Sequence, residues 1–589
     1  MPADHAKHDP VRLLLAQGKT DQALARAQRA FQSSPRDAGA AKVLSEVLLA
    51  AAQLDRAVHF ARTAAGLAPD DLACVLHHVS VLSAADKPAE ALALLERAAP
   101  RFPREPALHA ARIDIELELN RCVRAERTCR EALLANPGDT RLRTKLAAAL
   151  LNVGRVEEAV QAMRTAAAGE PANLAFAGGL AYLMNYSPGE SPEAVLAQHR
   201  RYGELLEAAH GRPKRVFTNT RDPDRRLRIG IVSPDLRAHS VAWFIEPFLE
   251  HHDRERIELV VYQTNYVADE VTARLRRHCE TWRIMDTVSD AQLAEAIFAD
   301  HVDVLIELSG HTHLHSLAAM QARPAPVQVT YLGYPNVTGV REIDARIGDS
   351  ITDPPGPIDA CGCERLLRLD PCFLCYRPPP APEPSPTPAA AGRGITFGSF
   401  NTVQKMSGRL VTAWARVLRA VPGSRLLLKG VAFTDADLRE DVRLRFIDAG
   451  VEADRIEVLP KAESLADHLC LYSRVDIALD PFPYNGTTTT CEALYMGVPV
   501  LTVAGALHAG RVGASLLSAI GLPELIARDE DDYVNRAVSL AADLPRLTAL
   551  RASMRPRLLN SPLCDGPNYA GRMETLLRNE WRDWCLSRA

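Results

Sequence analysis

At 589 residues the chain is long for one core and predicts two to four domains. Hydrophobic residues at 47% and charged residues at 24% are ordinary for a soluble globular protein, and a formal net charge of -4 supplies no basic field for nucleic acid. No apolar run approaches the roughly 18 residues that span a bilayer, and the opening MPADHAKHDP lacks the charged-then-apolar pattern of a secretory signal.

The first element along the chain is a repeat. Ala23, Ala57, Ala91, Ala125 and Ala159 stand 34 residues apart, and Pro35, Pro69, Pro103, Pro137 and Pro171 keep the same beat. A period of 34 residues is that of the tetratricopeptide repeat, a helix pair. Alanine lets neighbouring helices approach, and proline, which cannot continue a helix, opens the next unit. Segments such as EALALLERAA and EAVQAMRTAA are apolar at helical spacing. Each pair exposes an apolar face that only stacking buries, which predicts a superhelix over 1–190 with a groove suited to extended polypeptide. A spacer or a homodimerisation arm is the competing use. After Pro171 the period fails, and 191–224 reads as a helical linker ending in a polar connector.

From Leu227 short β-rich runs alternate with helical stretches: LRIGIVS, IELVVYQT, VDVLIELS and VQVTYLGY, then ITFGSF, SRLLLKG, RIEVLP, VDIALD and VPVLTVAG. Apolar strands alternating with helices predict parallel sheets covered on both faces. The proline-rich 377–394 separates the two sets and predicts an extended connector. Two doubly wound lobes follow, 225–376 and 395–565, with a last helix over 566–589 and a cleft between the lobes. Ligands in such sheets sit beyond the carboxyl ends of the strands, so the segments after each strand carry the candidates.

In the first lobe LRIGIVSPDLRAHS places Asp235 and His239 after the first strand, His239 being the candidate acid–base group. ELSGHTHLHS offers His311, Thr312, His313 and His315; alternate positions on an extended segment face opposite ways, which favours acceptor-side lining over a metal box. LGYPNVTG, with Tyr334 and Pro335, is a third loop of this kind. Twelve cysteines in so long a chain suggest reduced thiols in a cytoplasm. The cluster Cys361, Cys363, Cys372 and Cys375 has a poor chelating spacing, so no metal site is expected there.

In the second lobe ITFGSFN delivers Asn401, Gln404 and Lys405, and a lysine at a strand's carboxyl end is a natural charge for a phosphate leaving group. VDIALD runs into PFPYNGTTTT, where Asn485 and Gly486 turn the chain and Thr487, Thr488 and Thr489 open a helix. A helix start is an anion site, which with threonine hydroxyls suits a diphosphate; plain N-capping by threonine is the alternative. Glu492, on the first turn, either accepts ribose hydroxyls or complements the helix dipole. There is no P-loop and no G-x-G-x-x-G. Asp222-Pro-Asp224 and Asp435-Ala-Asp437 lie off the cleft, and no carboxylate pair suited to a hydrolase sits on its loops.

GIVSPDLRAHS, ELSGHT, RPAPVQVTYLGYPNVTG, FNTVQK, DPFPYNGTTTTCEALYMGVPVLT and GRVGASLLSAIGLPELIA, spread over 227–535 behind the 34-residue array, together resemble the O-GlcNAc transferases. The resemblance implies a tetratricopeptide superhelix followed by two Rossmann-like lobes of the GT-B type. It implies an inverting, metal-independent enzyme that needs no cofactor and moves a sugar, GlcNAc first among candidates, from a UDP-sugar to Ser or Thr hydroxyls of protein. On that reading Lys405, Thr488 and Thr489 contact the diphosphate, Glu492 takes the place of the ribose-binding acid, His468 falls where a histidine stacks on uracil, and His239 matches the histidine near the acceptor. Substrate phosphate or a water chain rivals His239 as base. The chain departs from the animal members at Thr487 (His there) and His311 (Tyr there), in LGYPNV for LGYPGT, and at Leu465, which occupies the spacing of a lysine. Two other readings stay open: a transferase of UDP-glucose or another UDP-sugar, and a repeat scaffold whose second half binds UDP-sugar without turnover.

Overall fold

The computed structural model describes residues 5–213, 215–356, 359 and 363–587. They divide into two compact units, Met1–Val153 and Gly154–Ala589.

The first unit is all helical. Thr20–Ser33 is followed by Ala38–Ala50, Leu54–Leu67 by Leu72–Ala84, Pro88–Ala98 by Pro106–Glu118, and Cys122–Ala135 by Thr140–Asn152. Ala23, Ala57, Ala91 and Ala125 are each 0% exposed, because a larger side chain there would push the helices apart. The prolines sit in the turns ahead of the helix caps, where Asp37, Asp71 and Asp139 accept backbone N–H groups of Ala40 (3.1 Å), Ala73 (2.8 Å) and Leu142 (2.8 Å). A further column stands at the opposite turn: Gly18, Ala52, Asp86, Asn120 and Gly154 have φ of 70, 55, 55, 54 and 76°, the left-handed conformation that closes a helix. Branched side chains such as Val43, Val47, Val75, Val79 and Leu95 fill the core. A groove of about 720 Å³ is lined by Leu76, Val79, Ala110, Ala111, Asp114 and Lys145 among others.

The division between units at Val153 and Gly154 does not coincide with the expected array limit at 190, nor with the linker over 191–224. Helices Val156–Gly169, Leu174–Met184 and Pro192–His210 belong to the second unit because their polar and aromatic side chains are satisfied there. Asn185 Nδ2 donates to Tyr334 Oη at 2.7 Å, His199 Nε2 lies 2.7 Å from the same oxygen, and Tyr186 stacks on Tyr484 at 4.6 Å.

Two parallel sheets follow. The first holds β1 (Leu227–Ser233), β2 (Ile257–Gln263), β3 (Thr281–Ile284), β4 (Val304–Glu307), β5 (Val327–Thr330), β6 (Ala345–Gly348) and β7 (Arg365–Arg368) in the order β3-β2-β1-β4-β5-β6-β7. The second holds β8 (Thr396–Ser399), β9 (Arg425–Lys429), β10 (Ile456–Leu459), β11 (Ile477–Leu479), β12 (Val500–Val503) and β13 (Ile526–Ala527) in the order β10-β9-β8-β11-β12-β13. Both are doubly wound as expected, and each reverses direction at one point, between β1 and β4 and between β8 and β11. The strands absent from the sequence reading are β3, β6, β7 and β13, which are short and carry no long apolar run; β3 (TWRI) has no fully buried residue.

The proline-rich 377–394 holds no helix or strand until a single 3-10 turn, Pro388–Ala391. It is a strap rather than a free tether: Arg551 Nε donates to Ser385 O (2.7 Å), Arg555 Nη2 to Pro382 O (2.6 Å), and the Ala389 N–H to Asp476 Oδ1 (2.9 Å). The final helix, Gly566–Leu586, follows the second lobe yet packs on the first, beside helix Ser240–His251. Trp581 Nε1 donates to Asp222 O at 3.0 Å, and the hydroxyls of Tyr569 and Tyr331 pair in the interior.

Candidate functional site

The carboxyl ends of the two sheets meet at a cavity of about 230 Å³. His239 comes from the loop after β1, Leu332, Gly333 and Pro335 from that after β5, and Phe373 and Leu374 from that after β7. The second lobe adds Phe400, Asn401, Thr402 and Lys405 after β8, Tyr484 and Thr487–Thr489 after β11, and His508 after β12.

The phosphate-like corner is built around Asp480, directly after β11. Its Oδ1 accepts the Gly486 N–H (2.6 Å) and its Oδ2 the Thr502 hydroxyl (2.7 Å), which pins the turn. A Cβ on Gly486 would lie 2.7–2.9 Å from Thr490 Oγ1, Thr489 Oγ1 and Asp480 Oδ1, so the turn has room for glycine alone. Asn485, fully buried, donates from Nδ2 to Pro481 O (2.9 Å) and accepts the Gly513 N–H (3.2 Å). Helix Thr488–Tyr495 thus starts at a fixed point facing the cavity, its first N–H groups lacking intrahelical acceptors. Thr487 occupies the cap position without a capping bond from its side chain, and the buried Thr488 hydroxyl has no protein partner. Thr489 Oγ1 donates to Asn401 Oδ1 at 3.1 Å. Capping therefore does not account for these threonines.

Lys405 reaches the same corner. Nζ donates to Asn485 O at 2.6 Å and sits 4.4 Å from the centroid of the Tyr484 ring. Burial lowers its pKa to about 8, Asp480 opposing the shift; burial raises Asp480 to about 6. Positive groups held by the backbone and dry on one side are what a diphosphate requires.

Beside this corner lies a chain of three side chains. Lys429 Nζ is 2.8 Å from His468 Nδ1, and His468 Nε2 is 2.8 Å from Glu492 Oε2. The ammonium has only protons to give, so Nδ1 accepts and Nε2–H donates to the carboxylate. Phe400 packs against Tyr472 at 4.6 Å, and Lys429 lies 5.8 Å from the Phe400 ring centroid. His468 and Glu492 adjoin the cavity wall without forming it.

On the first-lobe side His239 is the N-cap of helix Ser240–His251, its Nδ1 accepting the Val241 N–H at 3.3 Å. Burial lowers its pKa, with Asp235 pulling the other way from 3.8 Å. Asp235 itself is not on the cavity wall. The structure also keeps His311, Thr312, Tyr334 and Gln404 off it. His311 is buried behind the loop, Nε2 2.7 Å from Thr338 O and its ring 4.4 Å from that of Tyr202. Tyr334 turns its hydroxyl away to Asn185 and His199. Acceptor-side lining by these two is corrected to a support role: both close the junction with helix Pro192–His210, whose aromatic and imidazole groups had no signal in a lobe-by-lobe reading. Thr312 bonds back to Ser309 O (2.7 Å), and Gln404 is half-buried on the 3-10 turn Val403–Lys405. Cys361 lies outside the described residues; Cys363 is half-buried, Cys372 and Cys375 are buried, and all three are free thiols. Among the described residues no group of three His, Cys, Asp or Glu side chains is arranged to hold a metal ion.

Asp480, Lys429, Tyr484 and His508 were not singled out from the sequence. Asp480 closes VDIALD and Lys429 is the last residue of β9 within SRLLLKG, so position at a strand end was a signal for both. Tyr484 and His508 lie farther into their loops, and only the fold brings them to the cavity.

A profile described as "Glycosyl transferase family 41" matches residues 193–370 and 389–573, and profiles for tetratricopeptide repeat and for anaphase-promoting complex subunit 3 match 78–140 and 16–98. The chain is 41% identical over 408 residues to the Arabidopsis thaliana protein named probable UDP-N-acetylglucosamine–peptide N-acetylglucosaminyltransferase SPINDLY, covering 68% of this chain and 44% of that one. A second Arabidopsis thaliana relative with the same enzyme name, SEC, is 30% identical over 61% of this chain and 38% of its own length. The chain thus spans less than half the length of these curated relatives. Among solved structures, a mutant Thermobaculum terrenum O-GlcNAc transferase superposes with a TM-score of 0.81 at 32% identity, covering 87% of this chain and 98% of that one. Two parallel sheets meeting at a cationic cavity, and a family profile spanning both of them, lead to one conclusion: the chain belongs to glycosyl transferase family 41.

Proposed function

We propose that the chain is an inverting glycosyltransferase that moves GlcNAc from UDP-GlcNAc to Ser or Thr hydroxyls of a polypeptide. One observation carries the reading: Lys405 and the start of helix Thr488–Tyr495 converge on one wall of the cavity, the Thr488 hydroxyl there having no protein partner. Charge on a departing diphosphate is met there by the ammonium, free N–H groups and hydroxyls. Glu492, oriented by His468, is the acceptor for the ribose hydroxyls. The acceptor oxygen attacks the anomeric carbon from the face opposite the diphosphate, so the configuration inverts. With the cationic charge supplied by the protein, the reaction proceeds without a divalent cation, and chelation leaves UDP binding unchanged.

The groove of the first unit, apolar with Asp114 and Lys145 at its edge, suits an extended acceptor segment. The described cysteines are free thiols, which supports a reducing, cytoplasmic setting. Among the described residues no helix is long and apolar enough to cross a membrane.

The test is incubation of the full chain with UDP-GlcNAc and peptide or lysate, followed by mass spectrometry for modified Ser or Thr. Binding by calorimetry across uridine, guanosine and adenosine diphosphate sugars tests the donor. Tighter binding of another sugar nucleotide would replace UDP-GlcNAc, and binding without turnover of any donor would leave the repeat-scaffold reading.

A further inference from the structure

The cavity contains a second histidine, His508, on the turn after β12, and its surroundings differ from those of His239. Its Nδ1 lies 2.7 Å from Asp353 Oδ2 and 2.9 Å from Arg346 Nη1. Arg346, from β6, grips that carboxylate with both nitrogens, Nη2 to Oδ1 at 2.5 Å and Nη1 to Oδ2 at 3.2 Å, and Thr352 Oγ1 donates to Oδ2 at 3.1 Å. The side chains of His508, Asp353 and Arg346 are 4%, 2% and 5% exposed. A Cβ on Gly348 would lie 2.2 Å from Asp353 Oδ2, so the strand makes room for this carboxylate. The Phe373 ring meets the imidazole edge-on at 4.8 Å and limits its rotation.

Two groups bear on the proton at Nδ1, the carboxylate of Asp353 and the guanidinium of Arg346. Arg346 and His508 hold the Asp353 carboxyl well below its usual range against the effect of burial, so it stays ionised. The carboxylate contact is the shorter of the two, and a bare Nδ1 would set its lone pair against that ionised oxygen, so Nδ1 carries a proton and Nη1 donates to the same oxygen; Nε2 is then the ring nitrogen with a lone pair to offer. Nε2 has no hydrogen-bond partner among the described residues. His508 separates the small closed space around Arg346, Asp353 and Glu364 from the cleft cavity, so the edge opposite Nδ1 is the one facing the cleft. His239 has the reverse assignment: its Nδ1 accepts the Val241 N–H, so its Nε2 carries the proton and donates.

We propose that His508 is the proton-accepting histidine of the cleft, positioned by Asp353 and Arg346. Its Nε2 takes the proton of the acceptor hydroxyl as that oxygen forms its bond to the anomeric carbon. The sugar–phosphate C–O bond breaks with its electron pair leaving on the diphosphate. The proposal rests on the transfer reading above. The charged and titratable groups around His508 are Asp353 and Arg346 from β6 and the loop after it, Glu364 in the closed space behind it, and Lys405 and His239 on the wall of the shared cavity.

The experiment uses the full chain with UDP-GlcNAc and an accepted peptide. His508→Gln lowers kcat by about 100-fold or more while UDP affinity stays within about threefold. Asp353→Asn, whose amide donates to Nδ1 and moves the proton to Nε2, lowers kcat by about tenfold or more with UDP affinity retained. An unchanged kcat in His508→Gln, or loss of UDP affinity in step with kcat, overturns the proposal. Nitrogen-15 NMR of labelled histidine reads the tautomer without turnover: Nδ1–H with bare Nε2 is expected, and the opposite overturns it. A wild-type chain that binds UDP but transfers nothing overturns the transfer reading itself, and the proton role with it, before any variant is made.

Discussion

The two compact units solve opposite problems with the same chain. In the helical unit every structural device is used several times: the 0%-exposed alanines, the aspartate caps and the left-handed turns all recur at one spacing. Each helix pair answers mainly to its neighbours, so no residue is indispensable. In the sheet unit the devices are single. One carboxylate, Asp480, holds one glycine turn, one lysine faces one helix start, and one ion pair orients His508. Redundancy makes a surface tolerant of change, and singularity makes a reaction centre that is not. The comparison teaches that mutational cost should be spread in the first unit and concentrated in the second.

The largest effect is expected from Lys405→Ala. Removing the ammonium proposed to face the diphosphate should cost roughly 3–4 kcal/mol of transition-state stabilisation, a fall of about 100- to 1000-fold in kcat/KM, with little change in the thermal midpoint. An unchanged rate would remove Lys405 from the site. Next comes Ala91→Leu, which overpacks a position that is 0% exposed and should destabilise the helical unit by about 1–3 kcal/mol. Denaturant unfolding followed by hydrogen exchange would locate the loss in that unit; an equal loss in the sheets would break the contrast.

A pH effect of intermediate size sharpens the sheet side. The Lys405 pKa is lowered to about 8, so its ammonium is present below that value and lost as pH rises through it. UDP affinity measured by calorimetry should therefore fall about tenfold between pH 7 and pH 9, where an ordinary lysine would stay charged. The smallest effect should be a gain. Ala52 holds φ of 55°, which costs a residue with a Cβ, so Ala52→Gly should stabilise the helical unit by about 0.5–1 kcal/mol in thermal unfolding. A loss there would show that the turn is not strained.

Much of this was legible in the residues, for identifiable reasons. A repeat announces itself because each copy restates the same contacts, so Ala23 to Ala159 and the prolines were visible without any fold. The long apolar strands were visible for the same local reason, whereas β3, β6, β7 and β13 were not, being short and pairing at or near sheet edges. The threonines at the start of helix Thr488–Tyr495 and Lys405 were found because each follows its strand within a few residues. His311 and Tyr334 misled because a position after a strand does not say which way a side chain turns; burial against Tyr202 and His199 decided that.

By itself the sequence determined the helical period, the alternation of strands and helices, and the residue types that follow the inner strands, since all of these are properties of neighbours along the chain. Only the tertiary structure decided where the second unit begins, which histidines reach the cleft, and which side chains hold them. Those depend on contacts between residues far apart in sequence: Asn185 with Tyr334, Lys429 with His468, and Asp353 with His508. Such pairings leave no periodic trace, because each is made once and is held by burial rather than by local propensity.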